Sequence, residues 1–257
     1  MDNFLFYTLS DKVNKSISIE HLLDVLDEKY PFDTAAKWDN VGLQIGNGDT
    51  IIETKDIFVA LDVCLEVLKE LPNNSVLITH HPLIFSPINN IITTEYVGKM
   101  LKIILQKNIS YIVLHTNYDN SFLNRYFVEE ILGEEVLERE NSLLYYNENI
   151  ILDNDYLNIL KEQIEVDKIT VIDSKNIIKK VAVCTGSGGS LIKEAKENGA
   201  DLLITGDITY HQAIEAKELG ISVIDVTHFH SERYFGNDLV EDFGFTKVEQ
   251  TNPMKIF

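Results

Sequence analysis

The chain predicts an α/β protein of two lobes, with mostly parallel sheets flanked by helices. Three observations carry that expectation. Apolar runs of strand length alternate with segments of helical period, the alternation softens in the middle, and 257 residues suffice for one large domain or two of ordinary size. The lobes are expected at residues 1–125 plus 226–257 and at 126–225.

The elements follow in order. A first helix starts after Ser18, with Ile19, Leu22, Leu23 and Leu26 on one face. The segment 38–46 (WDNVGLQIG) reads as a turn shaped by Asn40, Gly42 and Gly46, with Trp38 as a packing anchor. Residues 56–63 (DIFVALDV) and 73–80 (NNSVLITH) read as buried strands, the second ended by His81-Pro82. A helix occupies 94–107 and a strand 110–115. The softer middle holds a helical piece at 126–132, a strand at 143–146 and a helix at 157–164. Clear alternation resumes with a strand at 179–184, a helix at 190–198, a strand at 201–205, a helix at 210–219, a strand at 222–226 and a helix from Ser231. The residues 245–257 can form a last strand. Apolar runs this continuous fit parallel strands buried on both faces.

Composition removes several classes. Lys and Arg number 22 against 41 Asp and Glu, a formal charge of −19, which argues against nucleic acid as the main partner because that affinity is built from neutralised phosphates. No apolar run approaches the roughly 20 residues a membrane helix needs. The N-terminal patch Phe4–Tyr7 lacks a basic flank and a cleavage site, so no signal peptide is expected. Two cysteines, Cys64 and Cys184, cannot make a disulfide framework and fit a reducing cytoplasm.

The chemistry lies in the histidines. Of seven, His21 falls on the first helix and reads as surface, while His80, His81, His115, His211, His228 and His230 lie at or just after apolar strand-like runs. In open parallel sheets, ligands bind beyond the carboxyl ends of the strands. There the chain places His80-His81, then His115 with Asp119 four residues on, then His228 with Glu232 four residues on. Spacing of four shares a face if the turn is helical. Imidazole and carboxylate together suit a borderline divalent ion such as zinc, iron, manganese, cobalt or nickel. Six donors exceed the needs of one catalytic ion; two ions sharing a carboxylate would use them. The loop 185–190 (TGSGGS) is either an anion cradle at a helix N-terminus or a tight strand-to-helix turn. Asp207 and His211 either support the same pocket or cap the next helix. Cys184 reads as a small buried residue rather than a nucleophile.

Six motifs in this order, WDNVGLQIG (38–46), THHP (79–82), HTNYD (115–119), CTGSGGS (184–190), TGDITYH (205–211) and THFHSE (227–232), resemble the NIF-three-like family, whose members are described as GTP cyclohydrolase I type 2 homologues. The resemblance runs from about residue 19 to 257, in a compact form without an inserted domain. It implies a two-lobed α/β subunit in a toroidal homohexamer, with a dinuclear site of two divalent ions per chain. Motif by motif, the ligands it implies are His80, His81, Asp119, His228 and Glu232, with Glu232 shared between the ions. His115 falls in the role of support or acid/base, and His230 is a second candidate for moving protons. Thr227 departs from the pattern, because glycine is common before the motif histidine, and His230 adds an imidazole. The implied activity is hydrolytic, on a nucleotide-like small molecule, with opening of the guanine ring of GTP as its best-named form. The alternative is a non-enzymatic, metal-binding hexamer with a metal-handling or regulatory role. A nucleic-acid-binding ring is the remaining reading, opposed by the charge.

Overall fold

A computed structural model describes residues 16–255. The expectations for Phe4–Tyr7 and for the last two residues of the C-terminal strand lie outside that range. The chain divides into two compact units. One comprises the described residues through Tyr118 with Phe235–Thr251; the other comprises Asp119–Tyr234 with the residues from Asn252.

The first unit opens with β1 (Ser16–Ser18) and α1 (Ile19–Lys29). The Ser18 hydroxyl accepts the His21 amide at 3.1 Å and caps α1, whose Ile19, Leu22 and Leu26 are buried. Then come β2 (Gly42–Ile45), β3 (Ile51–Glu53), β4 (Ile57–Ala60), α2 (Leu65–Glu70), β5 (Val76–Thr79), α3 (Tyr96–Gln106), β6 (Ser110–Val113) and the short α4 (Thr116–Tyr118). The second unit continues through a π-helical stretch Asp119–Leu123, α5 (Asn124–Tyr126) and a further π-helical stretch Phe127–Ile131. It then holds β7 (Glu138–Glu140), β8 (Leu143–Ile151), α6 (Asn154–Gln163), β9 (Thr170–Ile172), β10 (Ile177–Val183), α7 (Ile192–Glu197), β11 (Leu202–Thr205), α8 (Tyr210–Leu219), β12 (Ser222–Asp225) and α9 (His228–Glu232). The chain returns to the first unit for α10 (Asn237–Phe243) and β13 (Thr246–Lys247).

The first unit's main sheet runs β13-β4-β5-β6-β2, parallel except at β2. One of its faces packs Ala60, Leu77, Tyr111 and Val113 against Val67 and Leu68 of α2 and Met100, Leu101 and Ile104 of α3. The second sheet runs β7-β8-β10-β11-β12-β9. Its centre, β10-β11-β12, is parallel, and β8, β7 and β9 add antiparallel edges. Alternate residues serve opposite faces: Leu144, Tyr146, Val181, Val183, Leu202 and Ile204 pack with Leu160 and Ile164, while Leu143, Tyr145, Ala182 and Leu203 pack with Ile192, Ala195 and Ala216. The α/β expectation holds, with the parallel order concentrated at the sheet centres. The β7-β8 edge is antiparallel because a hairpin joins the two strands directly, with no crossover helix.

Three local readings change. Within the segment 38–46, expected as a turn, Gly42–Ile45 forms strand β2 and pairs with β6. The C-terminal strand is only Thr246–Lys247. Trp38 is 60% exposed and anchors no core. Among the described residues no helix is long and apolar enough to cross a membrane.

Candidate metal centre

In the first unit, β5 ends at Thr79 and delivers His80 and His81; β6 ends at Val113 and delivers His115. The turn after β5 is pinned from beneath. The Thr79 and Tyr111 hydroxyls lie 2.8 Å apart, both donate to the His81 carbonyl, and the Tyr111 oxygen accepts the Leu83 amide at 2.9 Å. The result is a cluster of three imidazoles, each with one ring nitrogen within 4.8 Å of the others. His80 is fully buried, beside the rings of Phe235 and Tyr118.

Each ring is fixed from behind at Nδ1. His80 meets the Leu114 carbonyl at 3.0 Å, His81 meets Asp62 at 2.9 Å and His115 meets Asp39 at 2.8 Å. An oxygen acceptor at Nδ1 places the proton there and leaves the Nε2 lone pair as the donor to a metal, the arrangement that metal-bound histidines use. Asp39 is held hard. Burial works to raise its pKa, but hydrogen bonds from His115 and Thr116 prevail and hold it at about 2. It therefore presents a carboxylate to His115 throughout the neutral range.

In the second unit the donors are Asp119, His228 and Glu232. His228 and Glu232 both lie on α9, four residues apart, with His228 Nε2 2.9 Å from Glu232 Oε2. A carboxylate oxygen of Asp119 lies within 4.8 Å of one from Glu232. His228 repeats the pattern of the first unit: its Nδ1 meets Asp207 at 2.6 Å. Asp225, at the end of β12, accepts the Ile208 and Thr227 amides at 2.9 and 2.8 Å and so ties together the two loops that carry Asp207 and His228.

The glycine loop is resolved in favour of the turn. The Thr185 amide donates to Asn124, Gly186 to the Ser231 hydroxyl and Gly188 to the Thr205 hydroxyl, so these three amides are already committed to protein oxygens. The loop serves Glu232 instead. Gly186 has φ +65°, and a Cβ there would stand 2.0 Å from Glu232 Oε1. Only glycine lets that buried carboxylate lie over the loop. Gly206 is similar, since a Cβ would come within 2.7 Å of the His228 backbone nitrogen. Cys184 is buried, and burial, then the Asp119 and Glu232 carboxylates, push its thiol pKa well above the ordinary range, as expected of an inert packing residue.

Of the two residues expected to move protons, His115 stands in the first unit's imidazole cluster, backed by Asp39. His230 has its Nδ1 2.6 Å from the Thr227 hydroxyl and belongs to none of the donor groups found among the described residues. Burial, then the nearby Arg233, lower its pKa. Thr227 has φ +68° and ψ 150°, a conformation natural to glycine. The glycine that the resemblance leads one to expect here would adopt this conformation without strain. His211 is exposed on α8. Sequence reasoning passed over Asp39 and Asp62, although Asp62 closely follows the apolar run of β4 in the manner of the histidines it supports.

A family model, Duf34/NIF3 (NGG1p interacting factor 3), matches residues 17–256. The chain belongs to the Duf34/NIF3 family. It is 40% identical over 227 residues to a GTP cyclohydrolase 1 type 2 homologue of Campylobacter jejuni, covering 88% of this chain and 92% of that one. To the GTP cyclohydrolase 1 type 2 of Helicobacter pylori strain J99 it is 36% identical over 244 residues, covering 93% and 98%. Among solved structures, reduced HcgD of Methanocaldococcus jannaschii superposes with a TM-score of 0.76 at 29% identity, covering 91% of this chain and 98% of that one. In this chain His80, His81 and His115 form a group that could hold a metal ion.

Proposed function

We propose that His80, His81, Asp119, His228 and Glu232 hold two divalent ions per chain and that the protein is a metal-dependent hydrolase of a nucleotide or related small molecule. One observation carries the reading: four imidazoles in two units all have Nδ1 engaged by an oxygen from a distant part of the chain, three of these oxygens belonging to carboxylates and the fourth to a backbone carbonyl. Histidines used only for packing have no need of so uniform a tautomer.

Bound divalent ions would supply Lewis acidity and lower the pKa of water at the site. The residues of the chain do the rest. Asp207, Asp62 and Leu114 orient the ligand imidazoles, and Asp39 orients His115 through its Nδ1, leaving its other ring nitrogen to accept and return a proton. The names of the Campylobacter and Helicobacter relatives favour ring opening of GTP with release of formate. Assembly as a homohexamer belongs to the same proposal, as does a cytoplasmic location.

Elemental analysis of gently purified protein, with a formate assay on GTP and a phosphoester panel, tests the reading. Near two ions per chain, with turnover falling by at least about 100-fold in Glu232→Gln, is expected. Bound ions without turnover on any substrate would leave a metal-handling or regulatory hexamer. A solution mass of six chains checks the assembly.

A further inference from the structure

The largest exposed aromatic groups near the first unit's imidazoles are not accounted for by the metal ligands. Trp38 is 60% exposed and Phe85 51% exposed, yet their rings face each other with centroids 5.7 Å apart and planes inclined by 43°. The Trp38 ring also meets His115 edge-on at 6.0 Å. Burial does not hold this pair in place; a polar frame does. Asn40 and Gln44 both donate to the Ile84 carbonyl, at 2.6 and 3.2 Å, and the Ile84 amide donates back to Gln44 at 3.1 Å. The Leu83 amide is held by Tyr111. On the other side Asp39, next to Trp38, is locked to His115 and Thr116, and the Ala36 amide donates to the Thr116 hydroxyl at 2.9 Å. Both backbones are thus anchored while both rings stay open to solvent.

We infer that Trp38 and Phe85 form a stacking subsite for a planar heteroaromatic ring, set beside His115 so that the ring's polar edge meets the imidazole cluster. Tilted aromatic faces attract a flat π-system in offset or edge-on contact, and stacking of this kind tolerates any base. The subsite rests on the reading of His80, His81 and His115 as part of the reacting centre, and it defines the ligand class as one carrying a nucleobase-like ring.

Trp38 is the chain's single tryptophan, so its emission reports this position alone. The purified full chain is titrated with guanosine, GTP and inorganic tripolyphosphate. Saturable change in emission with guanosine and GTP, and none with tripolyphosphate, is expected. Phe85→Ala should weaken guanosine binding by roughly ten- to a hundredfold, and Phe85→Tyr should retain it. Guanosine and GTP without effect at millimolar concentration would overturn the proposal. So would calorimetric binding of GTP that leaves Trp38 emission and the Phe85→Ala affinity unchanged, or a response to tetramethylammonium in place of guanosine. Emission shielded from acrylamide until the assembly is diluted apart would overturn it in favour of an interface between copies. The readout needs no turnover. Metal-dependent hydrolysis without a guanosine response removes the subsite and keeps the hydrolase, and the reverse result keeps the subsite alone.

Discussion

Gly186 and Thr227 illustrate how single residues in the second unit are set by backbone geometry. At Gly186 the space for a Cβ is taken by Glu232 Oε1. Gly186→Ala should therefore displace the carboxylate and lower the bound metal per chain, measured by elemental analysis, with far-UV circular dichroism retained. Adding Glu232→Asp, which shortens the side chain by one methylene, should recover part of the metal; no recovery would mean that the loop, rather than the carboxylate, had been disturbed. Thr227 presents the opposite case, a β-branched residue at φ +68°. Relief of that conformation is worth about 1–3 kcal/mol. The cap lost with the hydroxyl is weak, since the His230 amide lies 3.4 Å from it, and replacing a cap by Gly costs only a few tenths of a kcal/mol. Thr227→Gly should raise the midpoint of thermal unfolding, and a lowered midpoint would show that the Thr227–His230 contact outweighs the strain.

The strand ends decide what the elements do. Asp201 precedes β11, and its carboxylate accepts the Lys179 amide at 2.8 Å while pairing with Lys175. Burial works to raise its pKa, but the Lys175 ammonium and the Lys179 amide prevail and lower it. A carboxyl whose folded pKa is depressed contributes stability that is present above its unfolded pKa and lost as pH falls through the folded value. Acidification between about pH 5 and pH 3 should therefore lower the urea midpoint more steeply in the native chain than in Asp201→Asn. Equal slopes would show that this carboxylate contributes nothing to the acid limb. The same principle of tying strand ends by side chains acts at Asp225 and Thr79, where the neighbouring loops carry imidazoles rather than lysines.

For the whole molecule, the metal proposal makes stability depend on the ions. A ligand that binds only the folded state adds about 2.7 kcal/mol at a hundred times its dissociation constant. Chelation should lower the unfolding midpoint, re-addition of the divalent ion should restore it, and the restored increment should shrink in Glu232→Gln. An unfolding midpoint indifferent to chelator and metal would remove the ligand set. The surplus of acid, a formal charge of −19, means that this increment should be read at fixed ionic strength, because added salt also screens the chain's self-repulsion.

Much of this was readable in the residues themselves. The helix 210–219 has the bounds expected, since Thr209 and Gln212 form a capping box and Gly220 ends it in the left-handed conformation. Strand ends at His80, His115 and His228 followed from apolar runs that stop at polar residues, a local signal carried by side-chain periodicity. Other features were not local. Asp39 and His115 are 76 residues apart in sequence, Asp62 and His81 are 19 apart, and Asp207 and His228 are 21 apart, so no window of sequence records those hydrogen bonds. Tryptophan is usually buried, which suggests a core anchor, whereas the ring neighbours of Trp38, Phe85 and His115, come from distant loops and leave it 60% exposed. The pattern of residue types thus determined the α/β class and which side chains stand at the strand ends. Tertiary structure alone decided which nitrogen each imidazole offers, why glycine stands opposite Glu232 and which aromatic rings remain open, because each depends on where distant backbone groups and side chains come to rest.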